Sequence, residues 1–168
     1  MYVNSPFGIA LAHNGNLTNK GTLSEELFKS DRRHINTDSD SEVLLNVFAH
    51  ELQRVAGIKP TPDDVFEAVA QVHKRCSGAY AAIALLIGYG LVAFRDPCAI
   101  RPVVFGARET ASGREYMVAS ESVALDVLGY SIIRDLLPGE AIYIKENGEM
   151  ETRQCAKNPV YSPCIFEH

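Results

Sequence analysis

The sequence predicts an α+β fold with helices first and an antiparallel strand meander after them. Between Thr22 and Cys76, apolar residues recur at helical spacing. From Ser77 onward the texture changes to short apolar runs divided by glycine, asparagine and proline. Gly88-Tyr89-Gly90 and Asn147-Gly148 are tight-turn sequences that join neighbouring runs as hairpins, so neighbours pair antiparallel. Grouping helices before strands argues against alternating β/α crossovers.

Taken in order, the apolar run Gly8-Ile9-Ala10-Leu11-Ala12 reads as a buried strand that stops on His13-Asn14-Gly15-Asn16, with Asn14-Gly15 as its turn. Thr22-Leu23-Ser24-Glu25 has the form of a capping box, and Leu23 with Leu27 gives the short helix after it an apolar side. A second such box, Ser39-Asp40-Ser41-Glu42, opens a longer helix carrying Val43, Leu44, Val47, Phe48 and Leu52, which Gly57 and Pro60 close. A third helix starts at Thr61 with Pro62 in its first position and buries Val65, Val69, Val72 and Cys76; His73 lies beside that stripe as a surface or packing residue. Strands follow at 79–87, 91–94, 103–105, 116–119, 132–133, 141–144 and 150–153, with a short helix over 122–128 stopped by Gly129.

Composition bounds the function. A chain of 168 residues is of one-domain length and could bury roughly 70% of its extended surface. A net charge of −5 argues against a nucleic-acid partner, and Lys29, Arg32 and Arg33 read as a solvated loop. No apolar run approaches the ~20 residues of a membrane span and no secretory leader pattern opens the chain, so the expected compartment is the cytoplasm. Cys76, Cys98, Cys155 and Cys164 lack Cys-x-x-Cys spacing and are expected to remain thiols.

The residues leave several chemical readings open. Asn14 and Gly15 are a plain turn, or they offer a side-chain amide beside a backbone N–H, the two donors of an oxyanion hole. Asp40 either stabilises a helix start or holds a cationic group, since a carboxylate in the first turn stays ionised beside the helix dipole; Asp38 is a neighbouring acid. Arg95, Asp96 and Arg101 surround an Asp-Pro turn and read as structural. A triad in which His13 or His34 activates Cys76 or Cys98 has no local signature.

The stretches His13-Asn14-Gly15-Asn16 and Arg33-His34-Ile35-Asn36-Thr37-Asp38-Ser39-Asp40-Ser41-Glu42 together resemble the glutamine phosphoribosylpyrophosphate amidotransferase family. So do Gly78-Ala79-Tyr80-Ala81, Phe94-Arg95-Asp96-Pro97, Ile100-Arg101-Pro102, Met117-Val118-Ala119-Ser120-Glu121-Ser122, Pro138-Gly139-Glu140-Ala141-Ile142-Tyr143 and Pro163-Cys164-Ile165-Phe166-Glu167. The resemblance implies an α/β/β/α sandwich of the N-terminal-nucleophile hydrolase type, lacking its first segment. It implies an oxyanion hole at Asn14 and Gly15, and Asp40 as partner of the α-ammonium of glutamine, so that glutamine hydrolysis supplies ammonia for purine synthesis. The chain would be an interior part of a glutaminase domain, residues 1–168, without a cofactor of its own. Phosphoribosylpyrophosphate and magnesium would belong to an absent phosphoribosyltransferase domain, and the parent enzyme would be a homo-oligomer. Some members bind an iron–sulfur cluster through a cysteine near the position of Cys164. Such enzymes attack with an N-terminal cysteine, and Met1 is not one, so the chain as given is expected to lack glutaminase activity. Ala99 stands where the family pattern has glycine, so the loop before Ile100 is expected to differ locally. Two other readings are the glutaminase part of glucosamine-6-phosphate synthase, which shares His-Asn-Gly-Asn, and a non-catalytic module that binds an amino acid or a partner.

Overall fold

A computed structural model describes residues 1–166 and turns the apolar alternation that begins at Gly78 into the middle of a six-stranded sheet. The elements are β1 (Tyr2–Val3), β2 (Ile9–Leu17), α1 (Lys20–Asp31), α2 (Asp40–Val55), α3 (Pro62–Arg75), β3 (Gly78–Leu86), β4 (Gly90–Arg95), β5 (Val104–Thr110), β6 (Gly113–Ala119), α4 (Ser122–Val127), β7 (Ser131–Asp135), β8 (Glu140–Lys145) and β9 (Met150–Gln154). One sheet has the order β1-β2-β3-β4-β8-β9 and the other β6-β5-β7; neighbours pair antiparallel throughout.

Strand alternation builds the layers. Tyr80, Ala82, Ala84, Val92 and Phe94 face one way and join Leu44, Phe48, Val65 and Val69 of the helices in the main core. Ala81, Ala93 and Ile142 face the other way and meet Phe105 of the second sheet, with Val103 and Leu136 beside the ends of β5 and β7. Beyond Phe105, Gly106 turns to the outer face, where a Cβ would lie 2.6 Å from Leu125 Cδ2 of α4. The order is therefore helices, sheet, sheet, helix, the α/β/β/α sandwich expected, with one short helix as its fourth layer. Fully burying each Leu, Val or Phe of the main core stabilises the fold by roughly 1.5–3 kcal/mol. Among the described residues no helix is long and apolar enough to cross a membrane.

Three local expectations are corrected. Asn14-Gly15 is not a turn: β2 runs on to Leu17, with Asn14 opposite Ala81 and Gly15 opposite Tyr80 of β3. The glycine is needed because its φ is 142° and a Cβ there would sit 2.0 Å from the Ala79 carbonyl oxygen. Across the same pair, a Cβ on Gly78 would sit 2.2 Å from the Asn16 oxygen. Second, α1 begins at Lys20 rather than at the Thr22 box, and its N-cap Asn19 instead bridges to Arg75 O (2.8 Å) and Ser77 N (3.0 Å). Third, Ser39 does cap α2, accepting from Ser41 N, but Glu42 does not reach back to the Ser39 N–H. The capping box lies at α3, where Thr61 and Asp64 satisfy each other's backbone N–H.

The Asp-Pro turn is structural, as the sequence suggests. Arg95, only 1% exposed, donates to the carbonyls of Arg101 (2.6 Å), Leu136 (2.8 Å) and Ala99 (2.9 Å). Asp96 accepts from the N–H groups of Tyr80, Cys98, Ile100 and Arg101. Within this frame Ala99 adopts φ 53°, the left-handed conformation glycine would take more easily. The many hydrogen bonds of the loop over-determine that geometry.

Candidate functional site

The direction of each N–H in β2 follows from its pairing. Ile87 N donates to Gly8 O at 2.9 Å and Thr18 N to Ser77 O at 2.8 Å, so even-numbered residues of β2 exchange hydrogen bonds with β3. Odd-numbered residues direct their N–H groups to the opposite edge. There Leu11 N donates to Met1 O at 2.8 Å, and Leu17 N donates to Asp40 Oδ2 at 2.9 Å. The Gly15 N–H lies on this edge, beyond the two-residue β1 that covers Ile9 and Ala10.

Asp40 reaches the edge because Ser39 starts α2 there, and its side chain is 19% accessible. Asp38, two residues earlier, is fully exposed and pairs with Lys20 Nζ at 2.6 Å, so it points elsewhere. Glu42 fastens the approach to the helix: its carboxylate accepts from Asn36 N and Nδ2 and from Thr37 N and Oγ1 at 2.6–3.1 Å. Burial alone would raise the Glu42 carboxyl, and these bonds together outweigh it and hold it below the usual range.

Alternation sends consecutive β2 side chains to opposite faces. His13 points to the helix side, where Nδ1 lies 3.1 Å from Ser41 Oγ and 3.8 Å from Asp40 Oδ1. Burial lowers its pKa below 6.5, Asp40 partly counters this, and Arg101 adds to the lowering. Asn14 points to the other face and, with Ala12, His13, Ala81, Ile83, Val103, Ala119 and Ser120, lines a cavity of about 160 Å³ between the sheets. The Gly15 N–H and the Asp40 carboxylate thus share one strand edge, with the Asn14 amide on the adjoining face. His13, Ser41 and the Leu17 N–H join this cluster without having been singled out for it in the sequence. Continuing the strand alternation past Gly15 would have placed His13 toward the helices.

The cysteines lie apart from this edge in function. Burial pushes the Cys76 and Cys155 thiols up to about 12. The Cys98 N–H is bound to Asp96 in the structural turn. His34 packs edge-on against Phe28, and His13 is engaged with α2, so neither histidine forms the triad considered above. Among the described residues no group of three or more His, Cys, Asp or Glu is placed to hold a metal ion.

Comparison with known proteins adds an independent line. A family model described as a glutamine amidotransferase domain matches residues 2–127. Over 99% of its length the chain is 65% identical to an amidophosphoribosyltransferase of Pseudomonas aeruginosa and 58% identical to one of Escherichia coli. It spans about a third of the length of these relatives, 33% of each. A solved structure of the glutamine phosphoribosylpyrophosphate amidotransferase from B. subtilis, complexed with ADP and GMP, superposes with a TM-score of 0.76 at 29% identity; the match covers 99% of this chain and 33% of that one. With the sandwich in place and the family match running from β1 through α4, the chain belongs to the glutamine amidotransferase domain family.

Proposed function

We propose that this chain is the glutaminase part of an amidophosphoribosyltransferase, which hydrolyses glutamine and passes ammonia to phosphoribosylpyrophosphate held by another domain of the full-length protein. The observation that carries the proposal is the β2 edge. The Gly15 N–H and the Leu17 N–H that anchors Asp40 are two residues apart, roughly 7 Å along a strand. An extended glutamine spans roughly 6 Å from ammonium to carboxamide oxygen at standard bond lengths. One substrate molecule can therefore meet both groups.

In this reading the Asp40 carboxylate binds the α-ammonium through a charge-assisted contact. A thiolate adds to the carboxamide carbon, and the π electrons of the C=O move onto oxygen. The Asn14 side-chain N–H and the Gly15 backbone N–H stabilise that oxyanion. When it collapses the C–N bond breaks, the nitrogen takes up a proton and leaves as ammonia, and water then cleaves the thioester to glutamate. In this reading the thiolate is neither Cys76 nor Cys155, whose buried thiols resist ionisation. Their relatives' name favours phosphoribosylpyrophosphate as ammonia acceptor over the glucosamine pathway.

Glutamate release by the full-length protein carrying Asn14→Ala tests the oxyanion role. Turnover should fall roughly 10²-fold with the unfolding midpoint unchanged, because Asn14 is exposed. Unaltered turnover would reduce Asn14 to a strand residue.

A further inference from the structure

We infer that His13 is a positioning residue for glutamine, bracing the first turn of α2 against β2 and so fixing the Asp40 carboxylate on the strand edge. The inference rests on the reading of Asp40 as the ammonium partner.

The His13 side chain is only 1% accessible, in the same row as Ile9 and Leu11, a position where an apolar residue would ordinarily sit. Its Nε2 is buried without a hydrogen-bond partner, which is destabilising for a polar atom. What the ring gains lies at the other nitrogen. Nδ1 faces Ser41 Oγ at 3.1 Å and Asp40 Oδ1 at 3.8 Å, two consecutive residues of one helical turn. We assign the ring proton to Nδ1, the nitrogen that faces the Asp40 carboxylate; Nδ1–H then donates to Ser41 Oγ and Nε2 keeps a bare lone pair. The Leu17 N–H holds Asp40 Oδ2 from the other side at 2.9 Å. Asp40 is thus located between a strand amide and an imidazole.

This arrangement has a consequence for acid pH. A second proton must enter at Nε2, where burial opposes it; the charged groups that bear on the ring are Asp40 from α2, which favours the proton, and Arg101 from the loop after β4, which disfavours it. Once protonated, the ring would pair with Asp40 and compete with the α-ammonium of glutamine. The KM for glutamine should therefore rise as pH falls below 6.5, with turnover at saturating glutamine affected less.

Glutaminase kinetics of the full-length protein from pH 5 to 8 test this with His13→Ala, His13→Gln and Asp40→Asn. His13→Ala should raise KM about tenfold at pH 8 and change kcat less than threefold. His13→Gln can still donate to Ser41 but does not titrate, so it should recover most of that loss and remove the acid rise in KM seen in the parent. An acid rise that persists in His13→Gln would overturn the inference. So would a His13→Ala variant with parental KM and a lowered melting temperature, since the ring would then be packing alone. If His13→Ala fails to fold, the pH profile of His13→Gln decides. An unchanged KM in Asp40→Asn would overturn the reading of Asp40 and this inference with it; a raised KM there beside an unaltered profile in His13→Gln would overturn only the role of His13.

Discussion

Replacing Gly15 with alanine should damage the fold before it touches the chemistry. A Cβ at this position would sit 2.0 Å from the Ala79 oxygen and 2.9 Å from both Ala79 C and Tyr80 Cα. Carbon and oxygen approach each other to about 3.3 Å in ordinary sheet contacts, so β2 and β3 must separate locally by more than an ångström. That displacement breaks the hydrogen bonds on either side, each contributing about 1 kcal/mol. The backbone at φ 142° adds strain of about 1–3 kcal/mol for any residue with a side chain. Gly15→Ala should therefore destabilise the domain by roughly 3–5 kcal/mol, a large share of the ~5–15 kcal/mol of an ordinary domain. Urea unfolding of the full-length protein gives the loss, and amide exchange should speed up at Asn14 and Asn16, whose N–H groups face β3. A variant within 1 kcal/mol of the parent would refute the argument that the Ala79 carbonyl requires the glycine.

Other outcomes follow from named contacts. Asp40→Asn should raise the glutamine KM by the loss of about 1.5–3 kcal/mol of charge-assisted binding and leave ammonia-dependent synthesis intact; lost stability with unchanged KM would favour the helix-start role. His73, whose Nδ1 lies 2.8 Å from Tyr80 Oη, has its pKa lowered from 6.5 to about 4 by burial, partly opposed by the Gly139 backbone. The unfolded chain then binds the proton more tightly, so the associated stability is complete above pH 6.5 and is lost as pH falls toward 4, to about 3 kcal/mol at 1.36 kcal/mol per tenfold. His73→Gln should flatten that part of the stability curve, and an identical acid slope in the variant would refute the assignment.

The helices and strands were legible where two local signals agreed. Thr61 and Pro62 coincide with an amphipathic run and mark the start of α3, while the turns at Gly88 and Asn147 separate strands close to their observed ends. Legibility failed where a side chain had a tertiary task. Asn19 ties the start of α1 to Arg75 and Ser77, and Glu42 serves the loop at Asn36 and Thr37 instead of its own helix end. Asn14-Gly15 reads as a hairpin because positive φ is what such turns need, yet here the same φ lets β3 pass close by. At the site, Asn14, Gly15 and Asp40 were found through the resemblance. His13 was hidden because the strand was expected to end beside it.

The reciprocal fit of Gly15 against Ala79 and of Gly78 against Asn16 fixes more than local packing. Sliding β2 by one residue along β3 would ask a residue with a side chain to take the φ of 142° that Gly15 now adopts against the Ala79 carbonyl. Such a slip would also exchange the faces of His13 and Asn14 and turn the Gly15 N–H from the open edge into the ladder. The two glycines therefore serve as a positional key: they admit only the alignment that keeps donor, carboxylate and imidazole on their separate sides.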